Sequence, residues 1–134
     1  MVVEKLGSIQ CTSRTKALPA EGPLPRFEVT AEGPGTLAGV DVQSIATYQG
    51  AVRADGFIRG ECPNSGVIMA QDGVATFSAT GIGSFTEEGG SSWKGVVYFH
   101  AAAPSLASLN GVAVAYTWDV DAEGNAAWEL WALK

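Results

Sequence analysis

The segment FIRGE, residues 57–61, places a guanidinium and a carboxylate two residues apart in a stretch with the composition of a β-strand. Because side chains alternate across a strand, Arg59 and Glu61 share a face with Phe57. If that face points into the protein, the carboxylate lies beside aromatic walls and could abstract a proton, with Tyr116 as hydrogen-bond donor. In the opposite register both charges lie in solvent. Glu61, Arg59 and Tyr116 are therefore candidate catalytic residues whose register stays open.

Other arrangements that carry chemistry are poorly represented. The single histidine, His100, falls on a face predicted to be outward, and no G-x-S-x-G motif accompanies it. One histidine and two separated cysteines do not give the spacing of a metal site. The glycines of residues 81–85 lack the strand-turn-helix context and the GK[ST] of a phosphate loop. We expect no metal and no cofactor, and we interpret Cys11 and Cys62 as free thiols, although spacing leaves a disulfide open.

The chain length and composition indicate one globular domain over residues 1–134. Hydrophobic residues make up 46 %, which argues against disorder. Charged residues make up only 16 %, against about 25 % in a typical globular domain. We therefore expect part of the outer surface to be covered by a second copy of the chain, in a homo-oligomer.

Charge and hydropathy exclude two classes of partner. The net charge is −6 and the eight basic residues are scattered, whereas phosphate recognition needs clustered Lys and Arg. No apolar run approaches the ~20 residues of a membrane helix, and the N-terminus lacks the charged-then-apolar layout of a signal peptide. We expect no nucleic acid partner, no membrane partner and a cytoplasmic location.

Glycine turn signals divide the chain into short runs rich in Val, Ile, Thr and aromatic residues, the pattern of an antiparallel β protein. Asp55-Gly56 and Asp72-Gly73 are strong hairpin dipeptides. The stretch 18–25, with three prolines, together with 34–35 and 62–66, is predicted to form loops or turns. Only the segment 103–111 has a helical pattern. The predicted strands lie near 5–16, 26–32, 42–53, 57–61, 66–71, 74–85, 92–101, 112–121 and 126–133.

Eight or nine evenly spaced strands in one small domain predict an all-β fold, a small antiparallel β-barrel of about eight strands, similar in architecture to lipocalins. Closure of the barrel would remove exposed strand edges. Gly50, Gly81, Gly83 and Gly95 would let long strands bend sharply. A two-sheet sandwich is the alternative.

Alternation along the last strands predicts an aromatic interior. In 112–120 the residues Tyr116 and Trp118 share one face, opposite small residues and Asp119. An interior that mixes rings with glycine and alanine can leave room for a small apolar molecule, or can be a filled core. Besides Tyr116, the rings predicted to point inward are those of Trp93, Phe99, Trp118, Trp128, Phe77, Phe27 and Phe85. All of these seven except Phe85 are candidate ligand-binding residues.

The C-terminal half resembles a family of small uncharacterised prokaryotic proteins. The shared features are a G-x-G strand, a G-G turn, a W-x-G-x-x-x-F strand, an L-A-x-L-N-G segment and a closing tryptophan-rich strand. They correspond here to GIGSFTEEGGSSWKGVVYF, SLASLNGVAVAYTWDVD and GNAAWELW, within residues 60–134. This resemblance implies a barrel and brings no known activity.

The strand layout also resembles the barrels of allene oxide cyclase and dirigent proteins. That resemblance implies an oligomeric barrel around a hydrophobic pocket in which a flexible molecule is held in a reactive conformation. It carries over no catalytic residue. The sequence thus predicts a barrel that acts on a small hydrophobic molecule as a cyclase or isomerase, or alternatively a non-catalytic binding or assembly protein.

Overall fold

Eight antiparallel strands follow one another around a barrel, which closes where the last strand pairs with the first. The computed structural model describes residues 2–134. The predicted all-β barrel is confirmed, and the sandwich alternative is not adopted. The strands are β1 (Val3–Glu21), β2 (Leu24–Leu37), β3 (Val40–Val52), β4 (Ile58–Ala70), β5 (Gly73–Phe85), β6 (Ser91–Ala101), β7 (Val114–Val120) and β8 (Asn125–Leu133).

The dipeptides Asp55-Gly56 and Asp72-Gly73 lie at hairpin turns, as expected, and Gly124 lies in the turn between β7 and β8. Gly56 and Gly124 have φ values of 88° and 89°, in the left-handed region that glycine reaches without steric cost. Asp121 organises the last turn, where its Oδ1 accepts hydrogen bonds from the backbone N–H groups of Glu123 and Asn125. These turns are short, so consecutive strands pair directly.

Two proline-containing segments predicted as breaks lie inside long strands. β1 runs on to Glu21, so the predicted loop at 18–25 is wrong apart from the turn at Gly22-Pro23. Pro34 lies within β2, and the turn between β2 and β3 is instead at 38–39. The pairing of β1 with β2 is interrupted around Pro34, which has no N–H to donate, while pairing with β3 continues.

The predicted turn at 62–66 is a bulge inside one continuous strand. Pairing shifts at the same place on both sides of β4, between Cys62 and Gly66 against β5 and between Glu61 and Gly66 against β3. Asn64 has a φ of 55°, a conformation that asparagine tolerates better than most residues. Ser65 Oγ donates a hydrogen bond of 2.9 Å to the carbonyl oxygen of Thr47. The two predicted strands 57–61 and 66–71 therefore form the single strand β4, kinked at the bulge.

Four inward-facing glycines lie side by side across four neighbouring strands. Gly50 pairs with Gly60, Gly60 with Gly81, and Gly81 with Gly95, and we call this row the glycine belt. Aromatic rings cover it: Phe27 lies over Gly50, Trp93 over Gly60, and Tyr116 over both Gly81 and Gly95. A Cβ at any of these glycines would overlap a ring, so the belt makes space for large side chains on the inner wall.

One end of the barrel is closed by a 3₁₀ helix, Pro104–Leu109, where the sequence predicted one or two helical turns. Leu106 and Leu109 are fully buried and extend the aliphatic part of the core. Asp72 accepts hydrogen bonds from both the backbone N–H and the hydroxyl of Ser105. At the other end of the helix the Asn110 side chain bonds the N–H and carbonyl of Ala101. Both helix ends are thus tied to neighbouring strands.

The aromatic interior is largely as expected, with one error. Trp93, Phe99, Trp118, Trp128 and Phe77 are buried. Tyr116 and Phe27 are half-buried and pack against them. The inward placement of Phe85 is wrong, because it is 60 % exposed. By alternation it shares the face of Gly83, but it is the last residue of β5 and lies at the rim of the barrel.

The outer wall combines covered and uncovered apolar residues. Lys5 lies over the ring of Trp131, with its Nζ 4.4 Å from the ring centroid and 3.3 Å from Glu129 Oε2. Six apolar side chains on β3–β6 are instead open to solvent: Ile45, Met69, Val74, Ile82, Phe85 and Tyr98. We call four of them the outer apolar patch, namely Ile45, Met69, Val74 and Tyr98. Within residues 2–134 no helix combines the length and the hydropathy that crossing a membrane requires.

Candidate functional site

A cavity of about 60 Å³ lies inside the barrel and is its candidate functional site. Strands β1–β5 contribute mainly small side chains, with one ring each from β3 and β5. Strands β6–β8 contribute the other four rings. We call this space the central cavity. It is lined by Cys11, Ala31, Ser44, Ala46, Tyr48, Gly60, Glu61, Cys62, Phe77, Ala79, Trp93, Tyr116, Trp118 and Trp128.

The lining divides into a wall of small residues and a wall of rings. The small residues come from β1–β5, and most of the rings come from β5–β8. Trp128 is the hub of the aromatic wall, with ring centroids 5.2 Å from Phe77, 6.1 Å from Tyr116 and 6.3 Å from Trp118. Rings packed at such distances hold one another in place. The cavity therefore exists because the side chains of the facing wall are too small to fill the space that the rings leave.

Tyr48 is the ring that reaches the cavity from the small-residue side. Its hydroxyl oxygen accepts a hydrogen bond of 3.0 Å from Trp118 Nε1. Its ring packs edge-on against Trp93 and Trp118, with centroid distances of 5.8 and 6.2 Å. Desolvation raises the pKa of Tyr48 to about 12, although the bond from Trp118 acts in the opposite direction. The phenol is therefore protonated at neutral pH, and its O–H donates to no protein atom among residues 2–134.

Tyr116, a candidate catalytic residue, also lines the cavity, but its hydroxyl already donates a hydrogen bond to the backbone. The hydroxyl end of the ring covers Gly81 and Gly95 of the glycine belt, and the hydroxyl donates a hydrogen bond of 3.2 Å to the carbonyl oxygen of Thr80. Desolvation is the main reason that the pKa of Tyr116 is raised, and the charge of Glu61 adds to it. Tyr116 therefore contributes a fixed wall, whereas the O–H of Tyr48 is available.

The inward register considered for Arg59 and Glu61 is wrong. Ile58 and Gly60 are buried, so Arg59 and Glu61 alternate outward with them. Glu61, at the start of the bulge, is half-buried and also contributes to the lining of the cavity. Arg59 Nη2 lies 3.1 Å from Glu61 Oε1, and the two side chains are 70 % and 40 % exposed. The same carboxylate oxygen accepts a hydrogen bond of 3.0 Å from Thr80 Oγ1. The physical reason is that Ile58 adds to the apolar core, while two ionised groups keep their hydration outside.

Arg59 lies instead on a shallow groove of about 380 Å³ on the outer wall. Arg53 and Lys94 line the same groove, together with Thr80 and Ile82. Arg53 is paired with Asp55 at 2.7 Å, as Arg59 is with Glu61. The groove therefore carries partly neutralised charge and is separated from the cavity by the barrel wall.

The remaining predicted residues fall into two groups. Trp93, Trp118, Trp128 and Phe77 line the cavity, as the ligand-binding prediction requires. Phe99 and Phe27 do not: Phe99 packs behind Phe77, with ring centroids 5.6 Å apart, and Phe27 covers Gly50. His100 is exposed, in agreement with its predicted outward face.

Both cysteines are free thiols, are buried and line the cavity. Burial, with a smaller contribution from Glu32, raises the pKa of Cys11 to about 11. Burial likewise raises the pKa of Cys62, whose Sγ lies 3.5 Å from Ser65 Oγ. Protonated thiols are weak nucleophiles, so the two cysteines serve here as small, weakly polar wall residues.

Sequence reasoning did not single out Tyr48 or Ser44 as site residues. A signal for both was present, because Ser44, Ala46 and Tyr48 alternate with Gln43, Ile45, Thr47 and Gln49 along β3. Ser44, Ala46 and Tyr48 point inward, by the same alternation of side chains that distinguishes the two faces of β7. What the pattern did not reveal was that Trp118, 70 residues away, would bond the Tyr48 hydroxyl.

No protein-family model matches this chain, and no curated protein matches it in sequence. Several solved structures share its fold. A protein of unknown function from Clostridium acetobutylicum has a TM-score of 0.83 and 14 % identity, with 100 % of each chain covered. A conserved protein of unknown function from Rhodopseudomonas palustris has a TM-score of 0.80 and 12 % identity, with 98 % of this chain and 96 % of that one covered.

A β-barrel-like protein from Acinetobacter baumannii also has a TM-score of 0.80 and 12 % identity, covering 99 % of this chain and 96 % of its own. At such identities the likeness shows the fold alone. The resemblance to uncharacterised prokaryotic barrels is confirmed to that extent. None of the three is described as an allene oxide cyclase or a dirigent protein.

Proposed function

We propose that this protein binds a compact, mainly apolar small molecule in the central cavity. The observation that carries the proposal is the contrast between the two walls: five aromatic rings face a wall of alanine, glycine, serine and cysteine, which carries the single ring of Tyr48, across unfilled space. A barrel interior that served only stability would be filled to the density of other protein cores. Small barrels of eight strands either fill with side chains or hold one small ligand.

The volume of the cavity limits the ligand. About 60 Å³ is several times the ~10–15 Å³ that one water needs, and well below the ~150 Å³ of an engineered cavity that holds benzene. The ligand is therefore a molecule, or an inserted group, of only a few heavy atoms. A larger one would have to displace side chains of the wall.

The geometry supports binding better than turnover. The carboxylate proposed as a base belongs to a residue that contributes to the lining, but it is bonded to Arg59 and Thr80, and the hydroxyl of Tyr116 is bonded to a backbone carbonyl. A cyclase or isomerase would have to work through the shape of the cavity alone. Its flexible substrate would need more room than the cavity offers. We therefore prefer a binding function to the catalytic one.

Xenon is a suitable first probe, because it is apolar, monatomic and taken up by small dry cavities. We expect saturable chemical-shift changes in a xenon titration followed by NMR, confined to groups that line the cavity, such as the Trp118 indole N–H. Ala46→Val, which places two further carbons in the cavity, should abolish them. Ala127→Val on the outward face of β8 is the matched control and should leave xenon binding intact.

The proposal fails if xenon causes no saturable change at the cavity residues of the wild type. It also fails if Ala46→Val binds xenon as well as Ala127→Val does. Both variants should first be shown to retain the wild-type β-sheet spectrum, so that a lost response cannot be caused by unfolding.

A further inference from the structure

We infer that the ligand of the central cavity is an uncharged molecule with a carbonyl group, which is recognised by the hydroxyl of Tyr48. This inference rests on the proposed binding function and adds the chemical class of the ligand. It follows from which polar groups reach the cavity, which of them are already satisfied, and which charges are absent from its walls.

The polar groups of the two cavity tyrosines are in opposite states. The O–H of Tyr116 donates to the carbonyl of Thr80. The oxygen of Tyr48 accepts a hydrogen bond from Trp118, and its own O–H is left without a protein acceptor in the described part of the chain. A phenol that accepts one hydrogen bond is a stronger donor in the other direction, because such bonds polarise one another. Tyr48 is therefore poised to donate to an oxygen inside the cavity.

The position of the Tyr48 hydroxyl is also preorganised. Trp93 and Trp118 pack edge-on against its ring, and the Trp118 indole holds its oxygen. Trp93 is itself fixed, since its Nε1 donates a hydrogen bond of 2.9 Å to Ser91 Oγ. A donor held in this way loses little conformational entropy when a ligand binds.

The walls argue against a charged ligand. No lysine, arginine or histidine is among the residues that line the cavity, so an anion would find no counter-charge. Glu61 contributes to the lining, but its Oε1 already accepts hydrogen bonds from Arg59 and Thr80, and its charge is paired with the guanidinium of Arg59. Ser44, which is 2 % exposed, adds a neutral hydroxyl, and the two thiols add weakly polar groups. A neutral acceptor such as a ketone or aldehyde is the class that this set of groups satisfies.

Acetone and isobutene test the inference, because they have nearly the same shape and differ in replacing the carbonyl oxygen by CH₂. Affinities would be measured by NMR titration, and the quantity to compare is the preference for acetone over isobutene. A neutral hydrogen bond contributes about 0.5–1.5 kcal/mol, which corresponds to a change of about two- to tenfold. We expect Tyr48→Phe to reduce the preference by that factor.

Tyr98→Phe is the matched control, because it removes a hydroxyl from an exposed side chain outside the cavity. It should leave the preference unchanged. The carbonyl ¹³C resonance of labelled acetone should move downfield on binding to the wild type and to Tyr98→Phe, and should move less with Tyr48→Phe. Because Tyr48→Phe frees the N–H of Trp118, the double variant Tyr48→Phe/Trp118→Phe is needed to remove both donors.

Xenon separates failure of this inference from failure of the proposed function. If xenon binds and the double variant keeps the wild-type preference for acetone, the cavity binds ligands but Tyr48 does not recognise a carbonyl. Acetate bound as tightly as acetone would likewise overturn the inference that the ligand is uncharged. If xenon does not bind, the binding function itself is wrong.

Discussion

The hydroxyl of Tyr48 on β3 and the indole N–H of Trp118 on β7 form a hydrogen bond of 3.0 Å across the middle of the barrel. These two strands are four places apart in either direction around the eight-stranded barrel, so the bond joins opposite walls. It runs beside the cavity that both residues line. This one hydrogen bond therefore links opposite walls of the barrel and orients the Tyr48 hydroxyl, which we propose binds the ligand.

A double-mutant cycle on this pair should show coupling. Tyr48→Phe leaves the indole N–H of Trp118 buried without a partner, which costs about 1–3 kcal/mol of unfolding free energy. Trp118→Phe should cost more, since it also removes part of a buried ring system. We expect a coupling energy of about 1 kcal/mol from urea denaturation of the four proteins. Strictly additive effects would mean that the bond contributes nothing to stability.

Alkaline pH should destabilise the fold before the tyrosines ionise. Burial raises the pKa of Tyr48 to about 12 and of Cys11 to about 11, above the values of 10.0 and 9.0 expected in an unfolded chain. Each group is neutral when protonated, so folding favours the protonated form. The stability that they contribute is complete below the unfolded pKa and is lost as the pH rises through the folded pKa.

The urea concentration at the unfolding midpoint should therefore decrease as the pH is raised from 9 to 12. The decrease should be smaller in Tyr48→Phe than in the wild type. Tyr98→Phe, which removes an exposed hydroxyl, is the control and should follow the wild-type curve. A midpoint that is flat over this range in the wild type would show that neither group is protected by burial.

The glycine belt should tolerate no side chain. At Gly95 a Cβ would meet the Tyr116 ring, with Cζ at 2.7 Å, and also the backbone of β5. We expect Gly95→Ala to lower the unfolding free energy by about 1–3 kcal/mol, as overpacking does in other cores. Ser78→Ala, on the outward face of β5, should change it by less than about 0.5 kcal/mol. Equal effects at the two positions would contradict the packing described for the belt.

Self-association stays a prediction, and the outer apolar patch is where it would be expected. Met69 pairs directly with Val74 on the neighbouring strand, and both are about 40 % exposed (39 % and 44 %). We expect sedimentation velocity at micromolar concentration to show a dimer or a larger species, with Val74→Glu shifting it to monomer. Val3→Glu, at an exposed residue outside the patch, is the control. A wild-type monomer under these conditions would contradict the prediction.

Most of the fold was predictable because alternation and turn residues are local signals. The hairpins at Gly56 and Gly124, the helical turn at Pro104 and the inward face of β7 all follow from neighbours in the chain. Proline was misleading for the same reason. Its effect was judged from the residue alone, whereas Pro34 is accommodated by a gap in the ladder with β1 that only the pairing of two distant segments creates.

The candidate site was predictable only in part. Trp93, Trp118 and Trp128 were placed correctly, since large rings with regular alternation are core residues in almost any register. Arg59 and Glu61 were ambiguous, because a shift of one residue exchanges the two faces of a strand and Phe57 and Ile58 are both apolar. The structure resolves this ambiguity in favour of Ile58, and the charges lie outside.

From its sequence alone, this protein is determined to be a chain of short antiparallel strands with its aromatic residues on one face, because strand periodicity and glycine turns depend on adjacent residues. Only the tertiary structure decided that Gly50, Gly60, Gly81 and Gly95 align in one row, that rings from other strands cover them, and that Trp118 reaches Tyr48. Those relations depend on the stagger between strands and on closure of the barrel, which bring residues from opposite ends of the chain within hydrogen-bonding distance.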